Sequence, residues 1–473
     1  MRRWLLLLLI PVVLFAQVEI DTVIRLPYFV FNGCFIPELN KLYIHSSYHL
    51  LALDCSTYQL KAEIPTTSPD NPASFAWSPR RQKLYFCVSQ TSLMVIDAVA
   101  DTVLKQVPYV GPLAHAAAAD RVYIGGGSDT LPAIDCVTDS VVRIPSPVPG
   151  YGFDVPSWDS VGNKLYVPID AWGLPCKVAV YDCATDSVLA LIDMNGLDYA
   201  PGWMNFDQTY RKAYFMSNCA WAAYAGVIDT RNDTLIKLFP IRASSMFNAV
   251  AVDTRDHKAY IAGPPSGPGG DDTLYVIDCA TDSIIKKLTY PGTPWSVDLV
   301  RWVPWSNRVY LTRTSGQESL GIIVFDCNTD SIIVPNLSLG YWSPLDIQLD
   351  PIHERIFAIG AESTSVHVLR DVVSGVAETP TPNPRPAAPF KLRELRDAVE
   401  LEYHLESPGW VEVAVFDPCG RRIKTLASER QMPGRHDLKW DRTDRYGAKA
   451  AHGAYFIVLN TGDEQVRLKV IVR

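Results

Sequence analysis

Several absences narrow the reading of this chain. It contains no Cys-x-x-Cys pair, no His-Glu-x-x-His helix and no twelve-residue calcium loop, so neither a metal site nor a cofactor is expected. His45 and His49 lie four apart on a strand and its loop, where they need not share a face, and Asp271-Asp272 reads as a solvated turn. There is no Gly-x-Ser-x-Gly elbow, and Gly125-Gly126-Gly127 ends a strand without the helix that a phosphate cradle needs. No catalytic residue is assigned. Beyond residue 16 no apolar run is long enough to span a membrane. Basic charge is also scarce, with 43 Lys+Arg against 51 Asp+Glu. Residues 391–473 carry a net +2 and residues 1–390 a net −10, which argues against a nucleic-acid partner.

Export and β-structure are what the sequence does offer. Arg2 and Arg3 precede the apolar run Trp4–Phe15, and Ala16 follows. A basic start, a short apolar stretch and a small residue are the pattern of a secretory signal peptide, with cleavage expected near Ala16–Gln17. The 35 Pro and 28 Gly are spread along the chain, as many short strands and turns require.

Self-similarity at a fixed period is the strongest signal. Seven apolar strands end in Asp, at Asp54, Asp97, Asp135, Asp182, Asp229, Asp278 and Asp326, with steps of 43, 38, 47, 47, 49 and 48 residues. Most continue as Asp-Cys-x-Thr-Asp-Ser and then a β-branched run. An eighth copy has Arg370 in place of the Asp. Upstream of each, a basic, an aliphatic and an aromatic residue open another strand, with the ring at Tyr43, Tyr85, Tyr123, Tyr166, Tyr214, Tyr260, Tyr310 and Phe357. Four short strands per unit of this length fit the blades of a β-propeller. The Asp at each strand end is expected to accept backbone N–H groups of the following turn. The N-terminal stretch Asp21–Leu26 matches the back half of a repeat, and the last unit lacks its own, so this strand is expected to complete the last blade. Eight blades are expected, with seven as the alternative.

These features resemble the YVTN family of propeller repeats over about residues 20–372, with Cys after the Asp as a departure. The resemblance implies a propeller fold and an extracellular setting, and no single activity.

After Val373 a Pro-rich linker intervenes, and strands resume with different spacing at residues 399–405, 410–417, 436–441 and 454–460. About 85 residues of this kind make a small β-sandwich. The segment resembles the Ig-like modules of flagellar hook-capping proteins and type IX (T9SS type A) sorting domains. Val411–Asp417, Gly420-Arg421-Arg422, Trp440-Asp441, Gly453-Ala454-Tyr455 and the closing Lys469–Val472 carry that likeness. Arg442 stands where the pattern has Gly after Trp-Asp. The likeness implies export or surface attachment.

The expected organisation is all-β: signal peptide 1–16, β-propeller 17–373, linker 374–389 and Ig-like C-terminal sorting or attachment domain 390–473. Loops leading from each outer strand to the next inner strand should cluster on one face. They carry Tyr28, Tyr109, Tyr151, Trp203, Trp295 and Trp342 as candidate ligand-binding rings that could stack on a sugar or grip a peptide. The competing reading is that these rings cap the core or plug the channel.

The function expected from all this is a secreted or cell-surface, non-enzymatic binding or scaffold module. Its candidate partners are a glycan, a peptide or a cell-envelope protein, with no transmembrane span once the signal is removed. A propeller enzyme of lactonase or lyase type, with a site at the channel mouth, and a structural part of an envelope layer are the alternatives.

The ten cysteines invite a disulfide framework. However, Cys55, Cys136, Cys183, Cys279 and Cys327 take equivalent turn positions in different repeats, too far apart to pair. Thiol titration of denatured, non-reduced protein is therefore expected to find most cysteines free, and few reactive thiols would overturn that.

Overall fold

The repeated apolar runs fold into a succession of small antiparallel sheets. The computed structural model describes two stretches of the chain. One is residues 17–372 except 67–72, 89–91, 128, 172, 196, 198–199, 218–223, 242–248, 264–271, 291–297, 314–320, 341–343 and 361–363. The other is residues 391–472 except 395–397, 406–408, 417–421, 433, 445–448, 451–452 and 461–464. The proposed signal segment and linker lie outside the described residues. Two compact units divide between Ser374 and Gly375. Among the described residues there is no α-helix, and no helix is long and apolar enough to cross a membrane.

The first unit holds eight sheets in chain order, and the first is typical: Val30–Ile36, Lys41–Ser46, His49–Asp54 and Gln59–Pro65. Its second and third strands are almost wholly buried, whereas the fourth alternates between exposed and half-buried residues. That gradient explains the text of each repeat. Middle strands are covered on both faces by neighbouring sheets and read as continuous apolar runs, and the outermost strand meets water. Each core cluster spans adjacent sheets. Tyr85, Leu93 and Val95 of the second sheet, for instance, pack with Val122, Ile124 and Ile134 of the third.

The eighth sheet is completed from the other end of the unit. Its own strands are Asp346–Asp350, Arg355–Ile359 and Ser365–Val372, and Gln17–Arg25 adds the fourth, with Gln17 opposite Val372 and Arg25 opposite Ser365. The N-terminal strand thus does what its repeat-like text implied, and it covers the edge of Ser365–Val372.

One polar device recurs between neighbouring sheets. Lys41 Nζ donates to the Asp101 carboxylate at 2.8 and 2.9 Å and to the Ala98 carbonyl at 2.7 Å, and the Tyr43 hydroxyl donates to the same carboxylate. The pattern repeats around the ring, with Lys83 and Tyr85 on Asp139, Arg121 and Tyr123 on Asp186, Lys164 and Tyr166 on Asp233, Lys212 and Tyr214 on Asp282, and Lys258 and Tyr260 on Asp330. In every case the basic residue and Tyr open the second strand of one sheet, and the Asp lies in the last turn of the next. These Asp residues have positive φ, from 48° at Asp330 to 56° at Asp101 and Asp186. Asp tolerates that left-handed conformation better than most residues, so one residue both makes the turn and receives the neighbour.

The first Asp of the motif has a local task. Asp54 accepts the N–H groups of Ser56 and Thr57 at 2.8 and 3.1 Å, and Asp97, Asp135, Asp229 and Asp326 do the same in their turns. Hydrogen bonds from Ser56, Thr138 and Thr281 hold Asp54, Asp135 and Asp278 below the usual carboxylate range. The Cys that follows is buried wherever it occurs, and burial pushes the thiols of Cys55, Cys183, Cys279 and Cys327 up to about 12. Eight cysteines form no disulfide among the described residues, and Cys219 and Cys419 lie outside them.

The last seams depart from the pattern. Arg308 pairs with Asp371, which belongs to a strand rather than a turn. At the closing seam Tyr58 takes the place of the receiving Asp, with φ 57°. Arg355 donates to the Cys55 carbonyl at 2.7 Å and to the Tyr58 hydroxyl at 2.8 Å, and its guanidinium lies 5.6 Å from the Tyr58 ring. Phe357 stands where the other sheets have Tyr, so this seam has no buried hydroxyl to satisfy, whereas the buried Tyr310 hydroxyl at the Arg308 seam has no hydrogen-bond partner.

The second unit is a two-sheet sandwich. Lys391–Glu394, Val399–Leu405 and Gly434–Trp440 form one sheet, and Arg422–Gln431, Gly409–Phe416, Gly453–Asn460 and Gln465–Val472 the other. Trp440 is fully buried and donates its indole N–H to the Thr443 carbonyl at 2.9 Å, satisfying the side chain's polar atom inside the core.

The closing seam provides a test of the inter-sheet bonds. Phe357→Tyr alone should destabilise, because the new hydroxyl faces no carboxylate. Combined with Tyr58→Asp it should recover, giving a favourable coupling of about 1–2 kcal/mol in a double-mutant cycle read by denaturant unfolding. Strictly additive effects would contradict the mechanism.

Candidate functional site

Strand direction alternates within each sheet, so connections emerge at two ends. The turns that carry the inter-sheet bonds lie at one end. Loops from each fourth strand to the next first strand emerge at the other, together with the hairpins between second and third strands. At the bonded end the repeat's charged side chains are occupied. The loop end is where the repeats differ from one another.

Tyr28, Tyr109, Tyr151 and Trp203 all fall in fourth-to-first loops, as expected, whereas Trp295 and Trp342 lie outside the described residues. Tyr28 is half-buried, its ring stacked on His49 at 4.3 Å and 14°, and its hydroxyl donates to Glu63 at 3.1 Å. Tyr109 is half-buried, accepts a 2.6 Å bond from Arg143 Nε and carries the guanidinium 5.7 Å from its ring. Trp203 is half-buried. Tyr151 is only 7% exposed, packs in the core between the third and fourth sheets and donates to the Pro175 carbonyl at 3.2 Å. Among the described residues none of the four rings stacks on another. Two are therefore held in place by polar partners at the surface, and one, Tyr151, caps the core.

Inner strands contribute polar groups that sequence patterns did not single out. Asp346 accepts the Gly33 N–H at 3.0 Å and the Gln348 side-chain amide at 2.8 Å, with Arg301 at 3.9 Å. Gln348 in turn accepts the Phe35 N–H at 3.3 Å. First strands of the seventh, eighth and first sheets are joined in this way across the closing seam. His45 is buried between the rings of Phe31 and Phe86, and burial pulls it down to about 4, so it is neutral at physiological pH.

A carboxyl pair lies near the Gly-rich loop. Burial pushes Asp154 up to about 6, aided by the charge of Asp170, which is itself raised by burial. The glycines beside it serve close packing rather than an anion. A Cβ at Gly125 would lie 2.1 Å from the Asp154 carbonyl, and the Gly126 N–H is spent on the Phe153 carbonyl at 2.8 Å. The spacing of these groups in the chain carries no motif, and only the pairing of Gly152–Phe153 with Ile169–Asp170 brings the two carboxyls near one another.

Comparison with known proteins supports this architecture. Residues 393–465 match the FlgD Ig-like domain family. The propeller of Dos1 aligns with a TM-score of 0.57 at 14% identity, over 75% of this chain and 95% of that one. Sqt1 of Saccharomyces cerevisiae aligns with a TM-score of 0.57 at 12% identity, over 75% and 98%. A europium-containing methanol dehydrogenase aligns with a TM-score of 0.53 at 10% identity, over 75% and 93%. At such identities these likenesses show the fold, a β-propeller, and no activity. No curated protein matches the sequence significantly.

The Asp154 environment has a consequence for stability. Its folded-state value of about 6 lies above the ordinary 3.8, so the folded protein holds this proton across that interval and loses stability as pH rises through it. Asp154→Asn and wild type should melt alike near the bottom of the interval, with the variant becoming the more stable above it. A constant difference across a pH series of melting curves would contradict the assignment.

Proposed function

We propose that this protein is a secreted or cell-surface, non-enzymatic binding module, in which the propeller presents its loop end to a partner and the C-terminal Ig-like domain serves export or attachment. The observation that carries this reading is the division of labour between the two ends. Charged residues of the repeats are spent at one end holding sheets together. At the other end Tyr28 and Tyr109 sit half-buried, pinned by Glu63 and Arg143, and Trp203 is half-buried in the same class of loop. Rings held this way bind with little loss of side-chain freedom and offer flat apolar faces with a polar rim. A glycan or an extended peptide is the partner such surfaces suit.

Export rests on the Arg2-Arg3, Trp4–Phe15 and Ala16 pattern and on the resemblance of residues 20–372 to YVTN repeats. The FlgD Ig-like match at residues 393–465 supports an attachment role for the second unit. The sorting role carried by the resemblance to type IX modules belongs to this same reading.

A thermal-shift screen of the full chain against glycans and peptides is expected to give a saturable rise in melting temperature with one class. Trp203→Ala and Tyr109→Ala should each weaken that ligand about tenfold without lowering the unliganded melting temperature, and Trp295→Ala and Trp342→Ala test the undescribed loops in the same way. Unchanged affinity in all four variants would remove the loop end as the binding surface.

A further inference from the structure

The third sheet departs from the repeat at two positions, which meet its turn cysteine in space. His115 lies on its first strand, Asp120 in the turn that follows, and Cys136 in the turn after its third strand. One imidazole nitrogen, one carboxylate oxygen and the thiol sulfur all lie within 4.8 Å of one another. Asp120 is 8% exposed, and its Oδ1 has no hydrogen-bond partner; nor does His115 Nε2, which is also buried. Buried polar atoms are nearly always satisfied, so two such orphans facing a thiol call for an explanation.

Two other repeats show a complete arrangement at this place. Five residues before the left-handed turn residue stands Trp158 in the fourth sheet and Trp302 in the seventh, and each indole N–H donates to the turn Asn, at 3.3 Å to Asn163 and 3.1 Å to Asn307. Those pairs are neutral and complete. The third sheet puts a histidine at the indole position and a carboxylate at the amide position, next to the turn cysteine. The result is a nitrogen, oxygen and sulfur donor set, and with a thiolate its charge balances a divalent cation.

We propose that His115, Asp120 and Cys136 bind a divalent metal ion of the zinc class. Imidazole, thiolate and carboxylate together suit zinc and its borderline-soft neighbours, whereas calcium and magnesium take oxygen donors. Three protein ligands leave one position for water or an incoming group. The surroundings are arranged as metal sites usually are. Arg81 holds the other carboxylate oxygen, Oδ2, through Nε at 2.7 Å and a second guanidinium nitrogen at 2.6 Å, fixing the orientation of Asp120. The Asp120 carbonyl accepts the Cys136 N–H at 2.9 Å, so one backbone bond sets the separation of two ligands. The spacing His-x4-Asp-x15-Cys matches no short zinc motif, which is why the sequence alone raised no expectation of a site.

The test uses the full chain, stripped with a chelator and titrated with Co²⁺ and then Zn²⁺. One equivalent of Co²⁺ should produce a thiolate-to-metal absorption band in the near ultraviolet, and Zn²⁺ should displace it and raise the melting temperature. Cys136→Ala should abolish both effects. It should also fold, since Ala98 occupies the same position in the second sheet. His115→Gln should weaken binding strongly, and Arg81→Ala should lower zinc affinity about 10–100-fold while keeping the band. Cys279→Ser, at the equivalent position of the sixth sheet where Val252 replaces the histidine, should change nothing. Absence of a band, a band that survives Cys136→Ala, or a band lost in Cys279→Ser would overturn the proposal.

Discussion

A lysine or arginine and a tyrosine on one sheet, gripping an aspartate in the last turn of the next, is the contact on which this ring depends. Each sheet is too small to bury its faces alone, and apolar packing between flat sheets has little preference for register. The charged bond supplies that preference. It is directional and partly shielded from water, with side chains such as Lys212 and Asp282 only 13% and 11% exposed. Removing one partner from such a pair leaves a charge with no compensation, a cost of about 3–5 kcal/mol, so the bond punishes mispairing more than it adds to stability.

The same bond shapes where function can reside. Because the receiving Asp must sit in the left-handed turn position, the turn, the strand before it and the neighbouring strand are constrained together. Variation is pushed to the opposite loops and to the few repeat positions that the bond does not use. Both the aromatic loop end and the His115, Asp120 and Cys136 group occupy such freedoms. One lies in loops that the repeat leaves open, the other at positions where the fourth and seventh sheets place an indole and an amide.

How much could be read in advance depended on the range of the interaction. The role of Asp54 and its equivalents was legible, because the groups it satisfies are two and three residues away. The role of Asp101 was not, because its partners Lys41 and Tyr43 are about sixty residues earlier, on another sheet. Closure by residues 17–25 was legible, since half a repeat at one end matched the half missing at the other. Tyr151 and Tyr109 looked equivalent in the text. One entered the core and bonded a backbone carbonyl, while the other met Arg143 at the surface, and that difference arises from packing between sheets.

By itself the sequence determined the all-β class, the repeat, the two units and the buried, unpaired character of the turn cysteines, because each follows from local periodicity or from equivalence of position. Only the tertiary structure decided which charged residues hold neighbouring sheets together, which rings reach the surface and which donors converge at His115. Those outcomes depend on distances between residues far apart in the chain, which the packing of one sheet on the next sets and which no local pattern encodes.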